Sequence, residues 1–252
     1  MTEPVLRVSN LVKRFGGLVA TDHIALDIRP GEVHAIIGPN GAGKTTLIGQ
    51  LIGELAPDSG QVMFMGADIT HLPTHSRSHL GLARSFQITS IFPAFSALQN
   101  VAMAVQAHDG HSFRFWRCAG DDPVLIRPAL EALQLVGLGE RAQMTAGTLS
   151  HGEHRQLEIA MALATKPRLL LLDEPMAGMG PEDSARMVAL LQELKGQMSI
   201  LLIEHDMEAV FALADRITVL VYGRNIATDT PENIRRNEQV RQAYLGDEAL
   251  SP

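Results

Sequence analysis

The chain has 252 residues, 46% hydrophobic and 19% charged, with a formal charge of −7. That length suits one substantial core with a smaller lobe, and no stretch approaches the roughly 18–20 uninterrupted apolar residues of a membrane span. The negative balance argues against nonspecific nucleic-acid binding, which needs clustered Lys and Arg. Met1-Thr2-Glu3-Pro4 lacks the basic region and apolar run of a secretory signal, and the lone Cys118 forms no internal disulfide, so a cytoplasmic location is expected.

In chain order, apolar residues at Val5–Val8 and Ala25–Ile28 around Gly16-Gly17 predict an antiparallel strand pair. Val33–Ile37 reads as a buried strand, followed by a glycine-rich turn and a helix with Leu47, Ile48, Leu51 and Ile52 on one face. Gln61–Phe64 reads as a strand and Pro123–Val136 as a helix. The less regular stretch from about Phe86 to Gly147, including His108–Asp122, is expected to form an inserted helical lobe. Then helices at Glu153–Ala164, Glu182–Leu194 and Met207–Leu213 alternate with strands at Leu169–Leu172, Ser199–Ile203 and Arg216–Val221. The alternation predicts an α/β fold with a mainly parallel sheet.

Three segments carry chemistry. Gly38-Pro39-Asn40-Gly41-Ala42-Gly43-Lys44-Thr45-Thr46 fits the P-loop pattern and lies between a strand and a helix. Its backbone N–H groups and the helix N-terminus suit phosphate oxygens, Lys44 can reach the β/γ-phosphates, and the Thr45 hydroxyl can ligate Mg2+. A mere glycine turn needs neither the lysine nor the hydroxyl. Asp173-Glu174 ends the apolar strand Leu169–Leu172, at the edge where parallel sheets bind ligands. Asp173 is placed to hold Mg2+ and Glu174 to polarise an attacking water; the alternative is an acidic pair capping a helix. Finally, Leu149-Ser150-His151-Gly152-Glu153 begins a helix, and Ser150 with Glu153 also fits a simple capping box.

Together with Arg155-Gln156-Leu157-Glu158-Ile159-Ala160, that last segment resembles the signature motif of ABC ATPases. The resemblance covers nearly the whole chain. It implies a P-loop NTPase fold with a RecA-like core and an N-terminal antiparallel β subdomain (about 1–86 and 148–252), and a helical lobe at 87–147. It implies ATP hydrolysis in a nucleotide-sandwich dimer, in which the signature Ser150, His151, Gly152 and Glu153 face the ATP held by the opposite subunit. Gln87 matches the Q-loop glutamine that senses Mg2+ and the membrane partner, so the implied metal set is Thr45, Gln87 and Asp173. His205 matches the switch histidine on the γ-phosphate, making it a catalytic candidate with Glu174, and Phe15 matches the aromatic that stacks on adenine. Read alone, His205 and Phe15 also fit structural roles. Two positions depart from the family pattern: His151 stands where glycine is usual, and Gly180 where an aspartate usually links the two sites.

Lys13–Leu18, Ala83–Gln87, Ala177-Gly178-Met179, Glu204–Met207 and Val240–Gly246 are similar to the ATP-binding subunits of branched-chain amino acid importers, the LivG-like group. This implies a peripheral position on the cytoplasmic face of the cell membrane. The implied partners are two integral-membrane permeases, a second ATPase (the same chain or a paralogue) and, indirectly, an extracytoplasmic solute-binding protein. Importers of urea, amides and other small polar compounds share these stretches, and a soluble ABC ATPase without a transport role is the rival from another class. Ile88–Ser96 is expected either to receive a permease helix or to fill the lobe's core. The cluster Phe113–Arg117 is expected to pack the lobe or to lie against the membrane partner.

Overall fold

The computed structural model describes residues 3–85, 91–109 and 122–245. In chain order these form strands β1 (Leu6–Phe15), β2 (Leu18–Ile28) and β3 (Val33–Ile37), helix α1 (Lys44–Ile52), strands β4 (Ser59–Phe64) and β5 (Ala67–Asp68), helix α2 (Thr74–His79) and strand β6 (Leu82–Arg84). Helices α3 (Ala97–Asp109), α4 (Pro123–Leu135) and α5 (His151–Leu163) follow, then β7 (Leu169–Asp173), α6 (Pro181–Leu194), β8 (Ser199–Ile203), α7 (Met207–Leu213), β9 (Arg216–Val221) and β10 (Arg224–Asp229). Short helices α8 (Pro231–Arg236) and α9 (Glu238–Val240) end the regular structure, before a π-helical turn at Arg241–Leu245. No helix among the described residues is long and apolar enough to cross a membrane.

The chain divides into two compact units, the first from the described residues of Met1–Leu80 and Leu194–Pro252, the second from those of Gly81–Glu193. In the first unit, an antiparallel sheet runs β2-β1-β4-β5. The strands expected at Val5–Val8 and Ala25–Ile28 are the outer ends of a longer hairpin, in which Phe15 pairs with Leu18. Register shifts after Val8 and Leu11 account for the lost apolar alternation, and Asn10 and His23 take positive φ (51° and 54°) beside them, as bulges require. The other sheet of this unit has β3 between parallel β8 and β9, with β10 antiparallel at its edge. Every residue of β3 and β8 is buried, which is why both strands read as mostly apolar; the exception inside β3, His34, is held by Glu32 Oε1 (2.7 Å) and Thr218 Oγ1 (2.8 Å). Ala35, Ile37, Ile217 and Val219 pack against Val210 of α7, Ile234 of α8 and Val240 of α9.

One buried cation organises the C-terminal end of α1. Arg77 is 1% exposed, and its guanidinium donates to the carbonyls of Gln50 (2.7 Å), Leu51 (2.6 Å), Thr70 (2.9 Å) and Leu72 (2.9 Å). The first two are carbonyls of the last turn of α1, where the helix has no N–H left to donate to them. Burial holds the Arg77 pKa below its ordinary value. Arg77→Ala strips four carbonyls, three of them in buried bonds, of their donor, so a loss of about 3–5 kcal/mol is expected. The check is the denaturant midpoint of the full chain; Arg77→Lys, a point charge without the fork, should recover only part of it.

In the second unit β6 and β7 pair in parallel, Leu82 with Leu169 and Arg84 with Leu171, while α3, α4 and α5 pack on one another. The predicted helix ends hold to within two residues for α4, α5 and α6. Asp122 caps α4, accepting from the N–H of Val124 at 3.1 Å, with Pro123 as the first helical residue.

Candidate active site

In the first unit β3 delivers the P-loop. Its close fit is set by backbone: a Cβ on the buried Gly38 would lie 2.2 Å from the carbonyl oxygen of Leu220, and one on Gly43 (φ 99°) 2.2 Å from that of Ala20. The loop is tied inward by Ala42 N–H to Pro39 O (3.1 Å) and by Gly223 N–H to Ala42 O (2.9 Å). Lys44 Nζ folds back on the loop, donating to Gly38 O (2.6 Å) and Pro39 O (3.1 Å). Helix α1 starts from Gly43 with no side-chain cap and no acidic residue in its first turn. Its leading N–H groups and positive dipole end are therefore left for an anion. Thr45 and Asn40 are exposed, and Pro39 and Thr46 half-buried.

Because β3 and β8 are parallel and aligned (Ile36 beside Ile203), the P-loop and Glu204-His205 leave the same edge of the sheet. Glu204 is buried and accepts from the N–H of His205 (3.1 Å); the His205 imidazole is 64% exposed, with Nδ1 3.8 Å from the Glu204 carboxylate. Asp206 caps α7 by accepting from Glu208 and Ala209 N–H. Phe15 is 47% exposed at the tip of the β1–β2 hairpin, with Lys13 Nζ 5.8 Å from its ring centroid. It is not a core residue, which leaves its face available for stacking.

The second unit carries the carboxylates and the signature. Asp173 is buried at the end of β7, and Oδ2 accepts from Arg84 Nη2 at 3.0 Å. Arg84 is a site residue that sequence reasoning passes over: the parallel pairing of β6 with β7 places it beside the carboxylate, and only register shows this. Glu174 follows in the left-handed region (φ 50°), and its carbonyl accepts from Ala177 N–H at 3.1 Å, closing a turn. For a non-glycine residue that conformation costs roughly 1–2 kcal/mol, the kind of local strain that collects at functional sites.

Ser150 caps α5 in a full capping box: Glu153 N–H donates to Ser150 Oγ (3.3 Å), and Ser150 N–H donates to Glu153 Oε2 (2.8 Å). Arg141 fixes the other Glu153 oxygen at 2.6 Å. With Oγ used as an acceptor, the Ser150 hydroxyl proton remains a donor for a further ligand. Gly152 is buried and has no room for a Cβ, since one would lie 2.6 Å from Cγ of Asp183. Deeper in α5, burial pushes the Glu158 carboxyl above its ordinary range although Arg155 donates to it at 3.1 Å. Gln87 lies outside the described residues, as do Ile88–Ser90 and the Phe113–Arg117 cluster.

A family model described as ABC transporter matches residues 21–177, more than half of the chain. The chain belongs to the ABC transporter family. This ABC-type ATPase also matches, over residues 224–249, a model described as branched-chain amino acid ATP-binding cassette transporter. The high-affinity branched-chain amino acid transport ATP-binding protein BraF of Pseudomonas aeruginosa is 39% identical over 98% of this chain and 100% of its own length. LivG of Escherichia coli, of the same description, is 37% identical over 98% and 100%. The crystal structure of an ATP-binding cassette of an ABC transporter in its ADP conformation superposes with a TM-score of 0.86 at 30% identity, covering 98% of this chain and all of that one. The fold is thus that of the ABC ATPases, a nucleotide-binding domain.

Proposed function

We propose that this chain is the ATP-hydrolysing subunit of an importer for branched-chain or related amino acids, working as a nucleotide-sandwich dimer on the cytoplasmic face of the cell membrane. The observation that carries the amino-acid assignment is the match of residues 224–249 to the branched-chain model, since that segment lies outside the general ATPase match at 21–177. In this reading the P-loop backbone and Lys44 bind the ATP phosphates, Phe15 stacks on adenine, His205 contacts the γ-phosphate and Glu174 orients the attacking water. Ser150 and Gly152 serve the ATP of the opposite subunit. Thr45, Asp173 and Gln87 hold Mg2+; the hydroxyl, carboxylate and amide oxygens are the hard donors that this ion takes. When bound there, the ion would supply positive charge against the ATP phosphates.

Two membrane permeases, a second ATPase and an indirectly coupled solute-binding protein complete the assembly, and the lobe at 87–147 meets the permeases. Exposed aromatic rings support that last point: Phe92 (53% exposed) and Phe95 (41%) stack with centroids 5.6 Å apart. Beside them a cavity of about 330 Å³ is lined mainly by Phe95, Leu98, Ala102, Met103, Leu125 and Ile126, with Ser96, Gln99, Gln106 and Gln143 also in its wall. Solvent-facing stacked rings beside an apolar cavity suit an amphipathic helix.

The test is to recover the tagged Glu174→Gln chain with ATP from solubilised membranes of its host and identify what accompanies it. Two multi-span permeases and a second ATPase, in an assembly whose binding protein takes branched-chain amino acids, are expected. A binding protein selective for urea or amides would replace the cargo assignment, and soluble partners alone would overturn transport while leaving the nucleotide chemistry in place.

A further inference from the structure

The signature departs from the family pattern at His151, and the structure gives that imidazole a partner. His151 opens α5, and its Nε2 lies 3.3 Å from the carbonyl oxygen of Ala177. A carbonyl only accepts, so Nε2 carries the proton in this contact. The ring sits over the next residue, Gly178 (φ 76°), where a Cβ would stand 3.3 Å from Nε2. Glycine at 178 therefore leaves the space that the histidine occupies.

Ala177 is bound to the catalytic turn, because its N–H donates to the carbonyl of Glu174 at 3.1 Å. His151, for its part, is held between Ser150, fixed by the capping box, and Gly152, closed against Asp183 at the start of α6. Both ends of the His151–Ala177 contact are thus anchored. At Gly180, by contrast, an added Cβ would meet nothing within 4 Å among the described residues of its own chain.

We propose that His151 is a positioning residue that ties the signature turn to the turn carrying Glu174 and so couples the two nucleotide sites of the dimer through each subunit. This rests on the site reading above: Glu174 acts on the subunit's own ATP, while Ser150 and Gly152 act on the partner's. A shift of the signature on closing around one ATP then pulls, through Ala177, on the carboxylate that serves the other. A single hydrogen bond at an exposed carbonyl sets the expected effect at about threefold to tenfold.

The experiment measures ATP hydrolysis against Mg-ATP concentration for the full-length chain, alone and in the assembly recovered with it. The variants are His151→Ala, His151→Phe, His151→Gln and Gly178→Ala, with folding checked by circular dichroism. His151→Ala and His151→Phe are expected to lose about threefold to tenfold in turnover and to move the Hill coefficient toward 1, with half-saturation little changed. His151→Gln, whose amide can donate to Ala177 O, should restore most of both, and Gly178→Ala, which crowds the ring, should resemble His151→Ala. Equal rescue by Phe and Gln would reduce the contact to packing and overturn the proposal, as would parental turnover and cooperativity in all four. Glu174→Gln in the same assay separates the two readings. If it hydrolyses at the parental rate, the site reading fails; if it is inactive while the His151 variants match the parent, the coupling alone fails.

Discussion

Glu174→Gln is expected to bind ATP as tightly as the parent chain and to hydrolyse it about a hundredfold or more slowly, the scale of losing a positioned general base. The substitution keeps the shape of the side chain and removes only its ability to take a proton. In the proposed site the phosphates are held elsewhere, by the glycine backbone of 38–43 and the uncapped start of α1, so affinity should survive. A subunit that binds ATP without consuming it stays in its closed form, and the variant should elute as a dimer with ATP and as a smaller species without it. Single-turnover hydrolysis, nucleotide titration and size-exclusion chromatography read the three consequences separately. A kcat equal to the parent's would remove Glu174 from the chemistry. Loss of ATP binding together with turnover would instead mean that the left-handed turn at Glu174 (φ 50°) had been disturbed, which Glu174→Asp would reveal by failing in the same way.

The parts of this site that were legible in the sequence are those whose meaning is local. The P-loop spacing, the apolar runs of β7, β8 and β9, and the Ser150/Glu153 capping pair each depend on residues within one turn or one strand, and each stands in the structure where the pattern put it. The parts that were not legible are set by pairing and packing. Strand β1 carries Arg7, Asn10 and Lys13 among its apolar residues, and its register shifts break the alternation that marks a strand, so only its first residues were read. Strand β10 is polar and lies at a sheet edge, with no residue of it fully buried. Arg77 looks like an ordinary surface cation in a Thr-His-Ser-Arg-Ser-His run; its acceptors come from residues 50, 51, 70 and 72. Arg84 meets Asp173 only through strand register, and His151 meets Ala177 across 26 positions of chain. The assignment of Gln87 rests on the motif, since that residue lies outside the described structure.

Gly43→Ala is the complementary experiment, because it should weaken binding and leave the carboxylates untouched. The new Cβ would stand 2.2 Å from the carbonyl oxygen of Ala20, well inside contact distance, at a φ of 99° that side-chain-bearing residues rarely adopt. Neither neighbour can yield cheaply. Ala20 lies in β2, whose flanking residues Val19 and Thr21 pair with Arg14 and Lys13, and Gly223, whose Cα is 3.5 Å from the same point, is bonded to Ala42. The loop itself must therefore move, by about 1 Å, and a misplacement of that size in a positioned site costs on the order of a hundredfold. ATP affinity, followed with a fluorescent nucleotide, should fall by about that factor while circular dichroism stays parental. Gly41→Ala is the control: among the described residues no atom lies within 4 Å of an added Cβ, so only its φ of 79° opposes the change, and the loss should be about tenfold or less. If Gly43→Ala keeps its fold and binds ATP as the parent does, the phosphates are held by some part of the chain other than this loop. If Gly41→Ala fails as badly as Gly43→Ala, backbone conformation rather than the approach of β2 governs the cradle.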